Sequence, residues 1–94
     1  MREDQIKHDT QQQQFIWDID GQIAILDYVT LSDSVYAYTH VYVPPALRGQ
    51  NIAARLTQFA LEEASKLGWK VKAVCPYIQT YTRRHSIDLE PIMV

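Results

Sequence analysis

A chain of 94 residues with a formal net charge of −2 makes one domain, residues 1–94, whose single core hides only about 60–65% of the unfolded surface. The balanced charge, with no long basic block, argues against nucleic acid as the main ligand, because neutralising phosphates takes clustered Lys and Arg. No apolar run approaches the ~20 residues of a membrane span, the first ten residues are too polar for a secretory signal, and one cysteine with no Cys/His spacing offers neither an internal disulfide nor a metal site; a reducing cytoplasm is the expected setting.

Along the chain, residues 5–8 read as a short edge strand. Asp9 to Gln14 is a polar connector ending in consecutive glutamines, and Phe15 to Ile19 is a second strand. Asp20-Gly21 is a hairpin turn, since both residue types tolerate positive φ. Ile23 to Leu31 follows, with Ile23, Ile25, Val29 and Leu31 on one face and Ala24, Leu26 and Tyr28 on the other. Two apolar faces predict a strand covered on both sides. After a turn at Ser32-Asp33-Ser34, Val35 to Val43 alternates strictly. Val35, Ala37, Thr39, Val41 and Val43 are expected to point one way, and Tyr36, Tyr38, His40 and Tyr42 the other. Pro44 ends the pairing because it has no N–H to donate.

The spacing of Ile52, Leu56, Phe59, Ala60, Ala64 and Leu67 predicts an amphipathic helix over Asn51–Leu67. Arg55, Gln58, Glu62 and Lys66 are expected to face water, and Gly68 to cap the helix. Trp69 to Cys75 reads as a strand parallel to its neighbour if the helix crosses over between them. Pro76 opens a short helix ending near His85. Residues 86–94 carry no clear signal. A mixed α/β sheet results: an antiparallel meander, one strand–helix–strand crossover and a short C-terminal helix.

The junction Val43-Pro44-Pro45-Ala46-Leu47-Arg48-Gly49-Gln50-Asn51-Ile52-Ala53 is the most informative stretch. A strand stops at two prolines, and a short loop leads straight into the helix. Backbone N–H groups at a helix start have no intrahelical partner and lie at the positive end of its dipole, where a phosphate can sit. A Walker loop would need Gly-Lys-Ser/Thr where Asn51-Ile52-Ala53 stands. A Rossmann fingerprint would need spaced glycines, and Gly21, Gly49 and Gly68 are far apart.

The loop resembles the Q/R-x-x-G-x-G/A cofactor loop of the GNAT superfamily of N-acetyltransferases, with Arg48 in the first position and Ala53 in the last. Asn51 stands where the pattern has glycine; asparagine tolerates left-handed backbone better than most residues but carries a Cβ. Asp20-Gly21-Gln22, Val43-Pro44-Pro45, Leu47-Arg48-Gly49-Gln50 and Cys75-Pro76-Tyr77 with Tyr81, Arg83, Arg84 and His85 recur in this order in a branch of very small GNAT-like proteins. The resemblance runs from about Ile6 to His85. It implies a minimal GNAT fold whose fourth and fifth strands splay apart around a pantetheine arm. It also implies acetyl-CoA as acyl donor and an amine acceptor, either a small molecule or a protein lysine. The cofactor-binding candidates are then Val43, Arg48, Gly49, Gln50, Asn51, Ile52 and Ala53.

Acetyl transfer needs a held thioester, a deprotonated amine and a stabilised thiolate. His40 can serve as base directly or through water; the branch often has glutamate where Tyr42 stands, and a phenol is a poor base at neutral pH. Cys75, ending a strand at a helix start, is a candidate nucleophile, and the matching cysteine of the branch is suspected of a catalytic role. Tyr81 matches the helix on which many GNAT enzymes carry a tyrosine that protonates the departing thiolate. Each candidate has a packing alternative: a strand histidine bonded to a tyrosine, a small buried hydrophobe, a core aromatic. The functional alternatives are an acyl-CoA-binding module without catalysis and a protein-interaction domain on the same fold. The oligomeric state has no signal.

Overall fold

Five strands lie side by side in chain order in the computed structural model, which describes residues 5–94 apart from the side chains of residues 87 and 88. Residues 1–4 of the polar N-terminal stretch lie outside it. The strands are β1 (Lys7–Asp9), β2 (Gln14–Ile19), β3 (Gln22–Ser32), β4 (Val35–Tyr42) and β5 (Lys70–Ala73), with helices α1 (Ile52–Leu67), α2 (Pro76–Arg84) and α3 (Ser86–Leu89). The first four strands form an antiparallel meander. The β2–β3 hairpin closes on Asp20 and Gly21, both left-handed at φ 52° and 84°, which suits the right-handed twist of the flanking strands. β4 and β5 pair in parallel, with α1 as the crossover that a parallel pair requires.

Both longer helices pack against one face. Ile52, Leu56, Ala60, Leu61 and Ala64 of α1 and Ile78 of α2 join Phe15, Trp17, Leu26, Tyr28, Tyr38 and Val71 in a single core. The Tyr38 hydroxyl donates to the Ala60 carbonyl at 2.8 Å in the buried interior, pinning helix to sheet. Leu61 is buried in the core, whereas Leu67, in the last turn before the Gly68 cap at φ 75°, is exposed. Arg55 lies over the Trp17 ring, 5.5 Å from its centroid, instead of facing water.

The expectation that the third strand is covered on both sides is corrected. Ala24, Leu26 and Tyr28 are buried, but Ile23, Val29 and Leu31 are 47%, 43% and 52% exposed. Among the described residues no element packs over that face, since α1 and α2 both lie on the other.

β4 departs from the strict alternation expected of Val35 to Val43. Asp27 pairs with His40, while the next residue, Tyr28, pairs with Tyr38. Thr39 is therefore an extra residue in the ladder, a β-bulge. The bulge breaks the strict alternation. Tyr36 and Tyr38 face the helices, whereas His40 and Tyr42 face the open side, opposite Asp27 and Ile25. Residues 86–94, without a sequence signal, form α3 and a short turn, and Met93 adds a parallel bridge to Val71.

Candidate functional site

The strand-to-helix junction forms the site. β4 ends at Tyr42, and Pro44 and Pro45 lead into a single tight turn, Pro45–Leu47, closed by Leu47 N–H to Pro44 O at 2.9 Å. Gly49 and Asn51 are both left-handed, with φ 83° and 61°. Asn51 thus takes the conformation for which glycine is usually required, and it is the residue at the helix start, without a side-chain capping bond. The first helical hydrogen bond runs from Arg55 N–H to Asn51 O at 3.0 Å. The N–H groups of Ile52, Ala53 and Ala54 precede it and have no acceptor within the helix. The first turn carries no acidic residue, so no carboxylate within that turn offsets the positive end of the dipole.

These groups edge a cleft of about 250 Å³ bounded by Val43, Arg48, Gly49, Asn51, Ile52–Ala54 and Tyr77. Arg48 folds back, its Nε donating to the Val43 carbonyl at 3.1 Å. Gln50 turns toward the preceding turn, donating to Ala46 O at 3.4 Å. Beside the cleft, β4 and β5 part. Their last pair is Tyr38 with Ala73, and the Tyr38 carbonyl accepts both Val74 N–H at 3.0 Å and Cys75 N–H at 3.1 Å. Beyond it β4 runs on to the prolines while the other chain turns into α2. This is the splay that the resemblance implies.

The three chemistry candidates do not converge. Cys75 sits at the start of α2, 8% exposed and within the core cluster. His40 projects from the open face, its side chain 58% exposed, with Nδ1 3.3 Å from Asp27 Oδ2. Tyr81 stacks on His85, 4.3 Å between centroids. Both line a second cleft, about 440 Å³, between α1 and the C-terminal segment, with Gln58, Leu61 and Glu62. Burial pushes the Tyr81 phenol above its ordinary range, reinforced by Tyr77 and Glu62.

The phenol at the loop cleft is instead Tyr77, one turn earlier on α2. Burial raises its pKa too, and Arg84 opposes the rise. Tyr77 stood in the Cys-Pro-Tyr motif, but its reach depends on how α2 lies against α1. Asp27 and its cross-strand neighbour Gln14 are not among the site residues expected from the sequence. Gln14 Nε2 donates to Asp27 Oδ1 at 2.8 Å. The available signal was an acid inside an otherwise apolar strand.

A family model described as GCN5-related N-acetyl-transferase matches residues 14–90, most of the chain. A solution structure of a GCN5-like candidate N-acetyltransferase from Staphylococcus aureus superposes with a TM-score of 0.73. It has 18% sequence identity and covers 100% of this chain and 91% of its own. At that identity the likeness carries the fold. No curated protein matches the sequence.

Proposed function

The chain belongs to the GCN5-related N-acetyltransferase family, and on that premise we propose that it moves an acetyl group from acetyl-CoA to an amine. The observation that carries this reading is the helix start at the β4–α1 junction. Three N–H groups without an intrahelical acceptor, two left-handed loop residues and a guanidinium edge a cleft with no acid among its described lining residues. That donor set suits a pyrophosphate, which needs backbone amides and positive potential at short range. Asn51 meets the conformational demand that the family pattern meets with glycine. Tyr77 walls the cleft, and the gap between β4 and α2 suits an extended arm.

In the transfer, a base takes a proton from the acceptor's ammonium group. The freed nitrogen bonds to the thioester carbonyl carbon, the C–S bond breaks, and the sulfur leaves with the electron pair and takes up the second amine proton. His40 is the candidate base, on the strand that runs into the cofactor loop. Tyr77 and Tyr81 are the phenols available to the thiolate, and Tyr77 is the one at the loop cleft. A direct transfer is favoured over an acyl-cysteine route, because Cys75 lies in the apolar core while His40 faces the open side. The acceptor is a small-molecule amine or an exposed lysine, and the setting is the cytoplasm.

Thermal denaturation with added acetyl-CoA or CoA, followed by a free-thiol assay with an amine panel, tests the reading. Ligand at 100 times its Kd adds about 2.7 kcal/mol. Saturable stabilisation with thiol release supports the transferase. Stabilisation without release leaves the second reading, an acyl-CoA-binding module, which the wall-less open face around His40 favours. No stabilisation at millimolar ligand overturns both.

A further inference from the structure

On the open face a hydrogen-bonded row crosses three strands. Gln14 on β2 donates through Nε2 to Asp27 Oδ1 at 2.8 Å, and Asp27 Oδ2 on β3 meets His40 Nδ1 on β4 at 3.3 Å. The row exists because of the Thr39 bulge. Under unbroken alternation His40 would share the face of Tyr38 and could not meet Asp27. The pair adds little to stability, because His40 is 58% and Asp27 31% exposed and water screens such a contact. Yet the geometry decides the chemistry of the ring. An ionised carboxylate has no proton to give, so the nitrogen facing it must be the donor. In the neutral imidazole that puts the hydrogen on Nδ1 and the lone pair on Nε2.

We propose that Asp27 is a positioning residue: anchored by Gln14, it holds His40 in the Nδ1–H tautomer and turns the basic Nε2 outward over the uncovered face, the side from which the amine acceptor arrives. This rests on the acetyltransferase reading for its purpose but not for its geometry. A carboxylate that fixes tautomer and orientation leaves the histidine ready to take a proton without first flipping. The single oxygen accepting from Nδ1, with the other held by Gln14, also restricts rotation of the ring. Apo geometry at a catalytic pair is commonly longer than in the loaded state, which the 3.3 Å separation fits.

The test uses the full chain, labelled with ¹⁵N and free of ligand. Long-range ¹H–¹⁵N spectra, with His40 signals assigned by their loss in His40→Gln, report which ring nitrogen carries the hydrogen. The wild type is expected to give the Nδ1–H pattern, and Asp27→Ala the Nε2–H pattern that an unheld ring prefers. Gln14→Ala, which leaves the carboxylate in place, is expected to give a mixture and serves if Asp27→Ala fails to fold. In the thiol-release assay Asp27→Ala should lower kcat up to about 10²-fold, part of the gain that general bases supply. KM for acetyl-CoA should be unchanged. An Nε2–H pattern in the wild type overturns the proposal whatever the activity. An Nδ1–H pattern with full kcat in Asp27→Ala overturns the catalytic purpose and leaves the transferase standing. Wild-type protein that releases no thiol removes the transferase reading, and the spectra still decide the geometry.

Discussion

Placing a carboxylate at the helix start tests the proposed phosphate site from both sides. Ala53 lies in the first turn of α1, edges the loop cleft, and has no acidic neighbour in that turn. In the free protein Ala53→Glu sets a negative charge at the positive end of the dipole, a gain of about 0.3–1 kcal/mol. Ala53→Gln has nearly the same shape and helix propensity without the charge, so the difference between the two variants isolates the effect. For a domain of this size it corresponds to roughly 1–8 °C in Tm. With ligand the sign reverses. Unit charges of like sign about 4 Å apart repel by about 4 kcal/mol at an effective dielectric constant of 20, nearly 10³ in Kd. A CoA concentration that stabilises the parent by about 2.7 kcal/mol then stabilises Ala53→Glu by less than about 0.1. Differential scanning fluorimetry of the three proteins, with and without CoA, reads both effects. A CoA shift that survives intact in Ala53→Glu refutes the cleft as the phosphate site. A Glu variant less stable than the Gln variant refutes the uncompensated helix start.

Other substitutions probe the scaffold. Thr57 is fully buried and its hydroxyl finds no partner among the described residues, so Thr57→Val should gain about 1 kcal/mol in urea melts by removing a desolvated polar group. Leu26→Ala should cost about 2–5 kcal/mol, whereas Ile23→Ser, on the uncovered face of the same strand, should stay within about 0.5 kcal/mol; equal losses would mean that this face is covered in solution. His8 stacks on Phe15 and bonds the Tyr28 hydroxyl at 2.6 Å, and burial lowers its pKa from 6.5 against the pull of Glu63 and Asp9. The unfolded chain therefore binds the proton more tightly, so His8 favours the fold above about pH 6.5 and that contribution is lost as pH falls. Urea melts across that range should show the slope, and His8→Phe should flatten it.

Much of the site was legible because it obeys local rules. Pro44 and Pro45 stop pairing wherever they stand, Gly49 and Asn51 accept left-handed backbone, and the apolar spacing from Ile52 makes a helix whose first N–H groups must go unpaired. Asp20-Gly21 closes its hairpin for the same kind of reason. These properties belong to a few adjacent residues and their own sterics, so the sequence by itself determined them, together with the order of the elements.

What only the tertiary structure decided depends on partners far apart in the chain. Val35–Val43 alternates perfectly on paper; the extra residue at Thr39 exists only relative to Asp27 and Tyr28 on the neighbouring strand, and one residue of register moves His40 to the opposite face. Likewise α2 could present Tyr77 or Tyr81 to the loop, and its packing along α1 chose Tyr77. Whether Ile23, Val29 and Leu31 are covered was settled by both helices taking one side of the sheet. Periodicity states which side chains travel together, but not which surface they meet.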